Sequence, residues 1–408
     1  MSNVLYELKK ISSKNIVAPK GFSAAGIHCG IKHKKKDLAI LASEVPASVA
    51  GVFTTNAVQA APLFVTKEVV YNTGKMQAII VNSGNANACT GKQGMADAYE
   101  MQKLAANKLG ISPSYVGVAS TGVIGEMMKM EPIRTGVEKL QLGKSLENGI
   151  DFAQAILTTD TVMKNTSYST LIDGKEIIIS GTAKGSGMIE PNMATMLGFI
   201  TTDANIESKE LQAALSEITE LTFNAITVDG DTSTNDTVIV MANGLAGNDP
   251  LSPSHPDWDN FYRTLKAVAE DLAKSIARDG EGATKLIEVK VDGALNDEEA
   301  RKIAKTVVGS PLVKTAVFGN DANWGRIIAA VGYSGASIDP EKISIKIGPA
   351  LMVQNGEPFP FSEEQLTDIL KSNEVKITVS LAQGDGHGLA WGCDLTYDYV
   401  QINASYRS

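Results

Sequence analysis

Residues 184–199 read "KGSGMIEPNMATMLGF". Two glycines and a proline precede the small pair Ala194-Thr195, three methionines stand around it, and an apolar run follows. Neither a regular helix nor a tight turn needs that composition. The reading taken is that Thr195 is a nucleophile and becomes the first residue of a second polypeptide. A hydroxyl is a poor nucleophile near neutral pH and needs a base. His28, His33, His255 and His387 are scattered, which leaves little to build a Ser-His-Asp triad. A threonine at a chain N-terminus can instead use its own α-amine, whose pKa is about 8. That amine exists only after the preceding peptide bond is cut. The Thr195 hydroxyl can attack the Ala194 carbonyl, giving an ester that water opens. Flexible Gly185 and Gly187 and rigid Pro191 would help hold a strained peptide, and Ala194 leaves room for the attack.

Outward from this stretch, short β-branched runs alternate with helical patterns. Strands are expected at 76–84, 115–121, 175–183, 236–244, 285–293, 342–348, 375–384 and 389–404. Leu265, Val268, Leu272 and Ile276 form one helical stripe after Phe261, and Gly280 stands where a C-terminal cap is expected. Leu211, Leu215, Ile218 and Leu221 form another. Asn296 with Glu299, and Ser362 with Gln365, read as capping boxes; segment 94–109 stops at Gly110. The fold class expected is mixed α/β.

Composition narrows the function. A net charge of −9 argues against nucleic acid as the main partner. The basic run "KHKKKD" at 32–37 is read as a solvated turn or hairpin tip. No stretch is long and apolar enough for a membrane span, and the start has no signal-peptide core, so a cytoplasmic protein is expected. Cys29, Cys89 and Cys393 are too widely spaced for a redox or zinc pair.

Several familiar motifs fail on spacing. Six residues separate Gly84 from Gly91, and Gln93 replaces the hydroxyl residue of a phosphate loop. Asp229, Asp231 and Ser233 start like a calcium loop, but Thr234 stands at its glycine and Val240 at its closing glutamate. "GDGHG" at 384–388 is a glycine turn rather than a dinucleotide fingerprint. No metal is expected. Taken alone, Lys184 and Glu281 would read as surface residues.

The "KGSGMI-PNMATML" stretch resembles the signature of the ornithine acetyltransferase family of arginine biosynthesis, with Glu190 at the variable place. The resemblance continues through "NSGNANACTG" (82–91), "STGVIGE" (120–126), "TTDT" (158–161), "TVDGDTSTNDT" (227–237), "RDGEGATK" (278–285), "GNDANWGR" (319–326) and "AWGCDLTYDYVQINASYRS" (390–408). It implies an αββα arrangement similar to self-processing aminopeptidases. It also implies autocleavage into residues 1–194 and 195–408, with strands shared between the pieces and an α2β2 assembly.

The activity implied is ping-pong acetyl transfer from N2-acetylornithine to glutamate through an ester on Thr195. Thr121 and Gly122 match the family's oxyanion donors. Substrate contacts carry over onto Thr158, Lys184, Thr195, Glu281, Asn403 and Ser408. No cofactor is expected. Whether acetyl-coenzyme A also serves as acetyl donor is not decided by any residue; the bifunctional reading is carried forward. The rival readings are an amidase or aminopeptidase with the same nucleophile, and a binding homologue without chemistry.

Overall fold

The computed structural model describes residues 8–190 and 196–405. Among these, one compact unit takes 8–185, 196–224 and 232–272; the other takes 186–190, 225–231 and 273–405. Each unit carries its own β-sheet. The mixed α/β class expected from the sequence is the class observed.

The first unit holds β1 (Lys9–Lys10), β2 (Phe22–Ile27), β3 (Leu38–Phe53), β4 (Lys75–Asn85), β5 (Val116–Val123), β6 (Lys164–Ile172), β7 (Lys175–Lys184), β8 (Leu197–Thr202) and β10 (Thr237–Ala242). Their order is β1-β6-β7-β8-β10-β3-β4-β5, with β2 paired to β3. Strands from before and after residue 194 therefore share one sheet. Side chains alternate across a strand, and both faces of this sheet are covered. On β3, Leu38 and Ile40 join one buried cluster with Val65, Ala78, Met101 and Ile133. Ala39 and Leu41 join another with Phe22, Ile79, Phe152 and Phe199. Burial on both sides is why β4 reads as a continuous apolar run. β3 was not expected: Pro46 interrupts it, and its register with β4 shifts between Ala42 and Ala47.

The second unit holds β9 (Ile226–Thr227), β11 (Leu286–Ala294), β12 (Ser344–Ile347), β13 (Ala350–Gln354), β14 (Glu357–Pro358), β15 (Glu374–Ser380) and β16 (Gly386–Cys393), in the order β14-β13-β12-β15-β11-β16-β9. Ile287, Val289 and Val291 of β11 pack with Ile303, Ala304 and Val307 of the helix Asp297–Gly309. Asn296 caps that helix, accepting from the Glu299 N–H at 2.9 Å.

Two expectations are corrected here. The run 389–404 is not one strand: β16 ends at Cys393, and Tyr397–Ala404 is a helix capped by the Thr396 side chain. Aromatic and β-branched residues disguised it, and the cap decides it. Gly280 follows the helix Trp258–Arg278 but is not left-handed. It is needed for space, since a Cβ there would lie 2.5 Å from Cys393 Sγ.

Candidate active site

Ala194, Thr195 and Ser408 lie outside the described residues. The chain just downstream of Thr195 enters the first unit's sheet as β8. The Met196 carbonyl accepts from the Thr237 N–H at 2.8 Å. Leu197 then sits in register with Lys184 on β7 and with Thr237 on β10.

In the first unit the expected residues Thr121, Gly122 and Lys184 come together. β4 and β5 run parallel until their ends, where Ser83 faces Thr121 and Gly84 faces Gly122 before the register breaks at Asn85. Gly122 has φ +136°, and a Cβ on it would lie 2.3 Å from the Gly84 carbonyl carbon. Only glycine fits this closeness. Buried amides fix the exit. Asn235 donates to the Ser120 and Ala86 carbonyls at 2.8 and 2.6 Å, and Asn82 donates to the Asn85 carbonyl at 2.9 Å. Lys184 Nζ donates to Thr121 Oγ1 at 3.3 Å. Lys184 is buried, not the surface residue that its isolated sequence suggests.

Asp160 is the counter-charge. Its Oδ1 accepts from Lys164 Nζ and the Gly185 N–H, both at 2.7 Å, and Oδ2 accepts from the Thr158 N–H at 3.0 Å. Burial pushes its pKa up, but Lys184, Lys164 and these hydrogen bonds outweigh it and hold the carboxyl at about 2. Thr158 is thus tied to the same cluster as Lys184 through one carboxylate. Asp236 behaves oppositely. Burial drives its carboxyl well above the usual range, against Ser233 hydrogen bonding and the attraction of Lys184. Its Oδ2 has no hydrogen-bond partner among the described residues.

In the second unit, Glu281 and Asn403 come together. Asn403 Nδ2 donates to Glu281 Oε2 at 2.7 Å, from the helix that replaces the expected strand. Glu281 is buried, and its N–H donates to the Ser186 carbonyl at 3.0 Å. A Cβ on Gly187 would fall 2.4 Å from the Glu281 carboxyl carbon, so this glycine makes room for the carboxylate. Asp229 holds the next residues, accepting from the Met188 and Ile189 N–H groups at 2.7 and 2.8 Å. Met188 takes a left-handed φ of 57°, an unfavourable backbone conformation for a non-glycine residue. Glu190 pairs with Lys305 at 3.3 Å. The segment immediately before Pro191 is therefore pinned by the Asp229 and Lys305 side chains and by the Glu281 backbone N–H.

Sequence reasoning missed Asp160, Asp229 and Asp236 as site residues. Asp160 lay inside the "TTDT" match, and Asp229 and Asp236 lay inside a run weighed only as a calcium loop. The basic turn 32–37 is the hairpin tip expected between β2 and β3, but Lys32 is half-buried rather than solvated. Asp173, His255 and Asp257 cluster closely enough to hold a metal. Internal contacts already account for them: Asp257 accepts from the Asp173 N–H, and His255 Nδ1 accepts from the Asp257 N–H. Among the described residues, no helix is long and apolar enough to cross a membrane.

The model of the ArgJ family matches residues 23–408. The chain is 59% identical over 402 residues to an arginine biosynthesis bifunctional protein ArgJ from Geobacillus kaustophilus, covering 98% of each. It is 56% identical over 394 residues to the Bacillus subtilis protein of the same name, covering 97% of each. The crystal structure of arginine biosynthesis bifunctional protein argJ from Bacillus halodurans matches with TM-score 0.51 and 64% identity, over 51% of this chain and 98% of that one.

Proposed function

The chain belongs to the ArgJ family, whose matched relatives are bifunctional enzymes of arginine biosynthesis, and on that premise we propose how its residues carry out acetyl transfer. Acetyl moves from N2-acetylornithine to glutamate, giving ornithine and N-acetylglutamate. Thr195 is the nucleophile, freed by cleavage after Ala194. Its Oγ attacks the acetyl carbonyl while its own α-amine takes the hydroxyl proton. The tetrahedral oxyanion collapses, the C–N bond breaks, and the proton passes to the departing ornithine amine. The α-amine of glutamate then attacks the threonine ester and regenerates the hydroxyl.

Thr121 and Gly122 serve as the oxyanion donors, an effect commonly worth about 3–4 kcal/mol per donor. What supports this role is the fixed β5 exit, with a hydroxyl and a glycine backbone side by side. Thr158 and Lys184 take the α-carboxylate side of the substrate. Glu281, with Asn403 beside it, takes the ornithine ammonium, and Ser408 completes the contacts. Self-processing draws support from the Bacillus halodurans structure, whose chain is about half the length of this one by its matched shares. The pieces 1–194 and 195–408 then remain associated, as an α2β2 assembly in the cytoplasm. The word "bifunctional" in the relatives' names favours acetyl-coenzyme A as a second acetyl donor. No cofactor is required.

The match over residues 23–408 is the observation that carries this reading. Purified protein incubated with N2-acetylornithine and glutamate tests it. Stoichiometric ornithine and N-acetylglutamate support transfer. Acetate in place of N-acetylglutamate indicates a hydrolase and contradicts it.

A further inference from the structure

Lys32 stands apart from the other lysines of its turn. Asp37, fully buried, gathers the Cys29, Gly30 and Lys32 N–H groups on its carboxylate at 2.6, 3.2 and 2.9 Å. The Asp37 carbonyl accepts from the Ser83 N–H at 2.9 Å. The turn is thereby fixed against the end of β4. The Lys32 stem lies over Gly84, where a Cβ would meet Lys32 Cγ at 2.8 Å. Gly84 is the same residue that Gly122 packs against. Beyond it, Lys32 Nζ donates to the Leu157 carbonyl at 2.9 Å, next to Thr158. The side chain thus spans from the oxyanion turn to the Thr158 loop.

The ammonium carries three N–H groups and uses one on protein among the described residues. The charges acting on it are Asp37, Lys35, Asp160 and Lys184. Asp37 is filled by three backbone donors, and Asp160 by Lys164, Gly185 and Thr158. Spare donors beside a second buried lysine make a place for an anion. We propose that Lys32 is a substrate-binding residue that contacts the α-carboxylate shared by the acetyl donor and the acceptor. Burial already lowers its pKa to about 8, as expected for a cation short of a counter-ion.

The inference rests on the acetyl-transfer reading, so wild type is assayed first; absence of transfer overturns both. Given transfer, Lys32→Met keeps the stem and removes the charge, and Lys32→Arg keeps the charge. Intact mass checks that each variant has processed as wild type does. Lys32→Met is expected to raise KM for both N2-acetylornithine and glutamate by roughly 10- to 100-fold with kcat little changed, and Lys32→Arg to recover much of it. With N2-acetylornithine α-amide as donor, kcat/KM for the donor should be alike in wild type and Lys32→Met. Unchanged KM values, an equal loss on the acid and the amide, or a loss confined to glutamate would each overturn the assignment. Should Lys32→Met fail to fold, Lys32→Gln takes its place in the same comparison.

Discussion

Lys184 Nζ donates to Thr121 Oγ1 over 3.3 Å, joining the end of β7 to the end of β5, two strands five places apart in the order of the first unit's sheet. The contact places a cation against the hydroxyl assigned to the oxyanion. Thr121→Val keeps the shape and removes the donor. It is expected to lower kcat about 100-fold or more while leaving the melting temperature nearly unchanged. Steady-state kinetics beside a thermal melt checks both halves of that expectation.

Gly122→Ala is expected to fail for another reason. The added methyl meets the Gly84 carbonyl carbon at 2.3 Å, and alanine does not readily adopt φ +136°. Strain and overpacking each cost about 1–3 kcal/mol. A lowered melting midpoint with lost activity is the predicted outcome. A wild-type melt would show that β4 can move aside.

Asp160 makes stability depend on acid pH. Its folded pKa of about 2 lies below the unfolded value near 4, so its contribution is present above pH 4 and is lost as pH falls through 2. The shift corresponds to about 2 kcal/mol. Denaturant melts between pH 6 and 2 should show this limb in wild type and a shallower one in Asp160→Asn. That variant should also be roughly 3–5 kcal/mol less stable at neutral pH, because it leaves buried lysine charge unmatched.

The sequence made the helix stripe through Leu265, Val268 and Leu272 legible because one apolar face repeats at the helical period. It left the burial of Lys184 and Glu281 illegible. Each is stabilised by groups far away in the chain: Lys184 by Asp160 and Thr121, Glu281 by Asn403. Single-residue character carries no trace of such partners. The 397–404 helix was hidden because Tyr and Val favour strands in isolation, and only its Thr396 cap, with an acidic first turn at Asp398, signals otherwise. Motif resemblance singled out Thr121, Gly122 and Lys184, which the structure brings together, but not Asp160 and Asp236, whose carboxyls the Lys184 charge acts on.

Glu281→Gln tests the assignment of the ornithine ammonium. Removing the carboxylate charge should raise KM for N2-acetylornithine by roughly 10- to 100-fold and affect glutamate much less. Equal effects on both substrates would place the ammonium elsewhere. In the same spirit, residues added beyond Ser408 should impair substrate binding, and unchanged kinetics for the extended chain would remove Ser408 from the contacts.

The central claim is that Thr195 cuts the chain before it and then works as the freed nucleophile. Its most direct test is the intact mass, under denaturing conditions, of wild type beside Thr195→Ala. Wild type should give two polypeptides, 1–194 and 195–408, while the variant stays whole. A wild-type chain that remains a single species of 408 residues would contradict the claim, because the α-amine that serves as its base would never be formed.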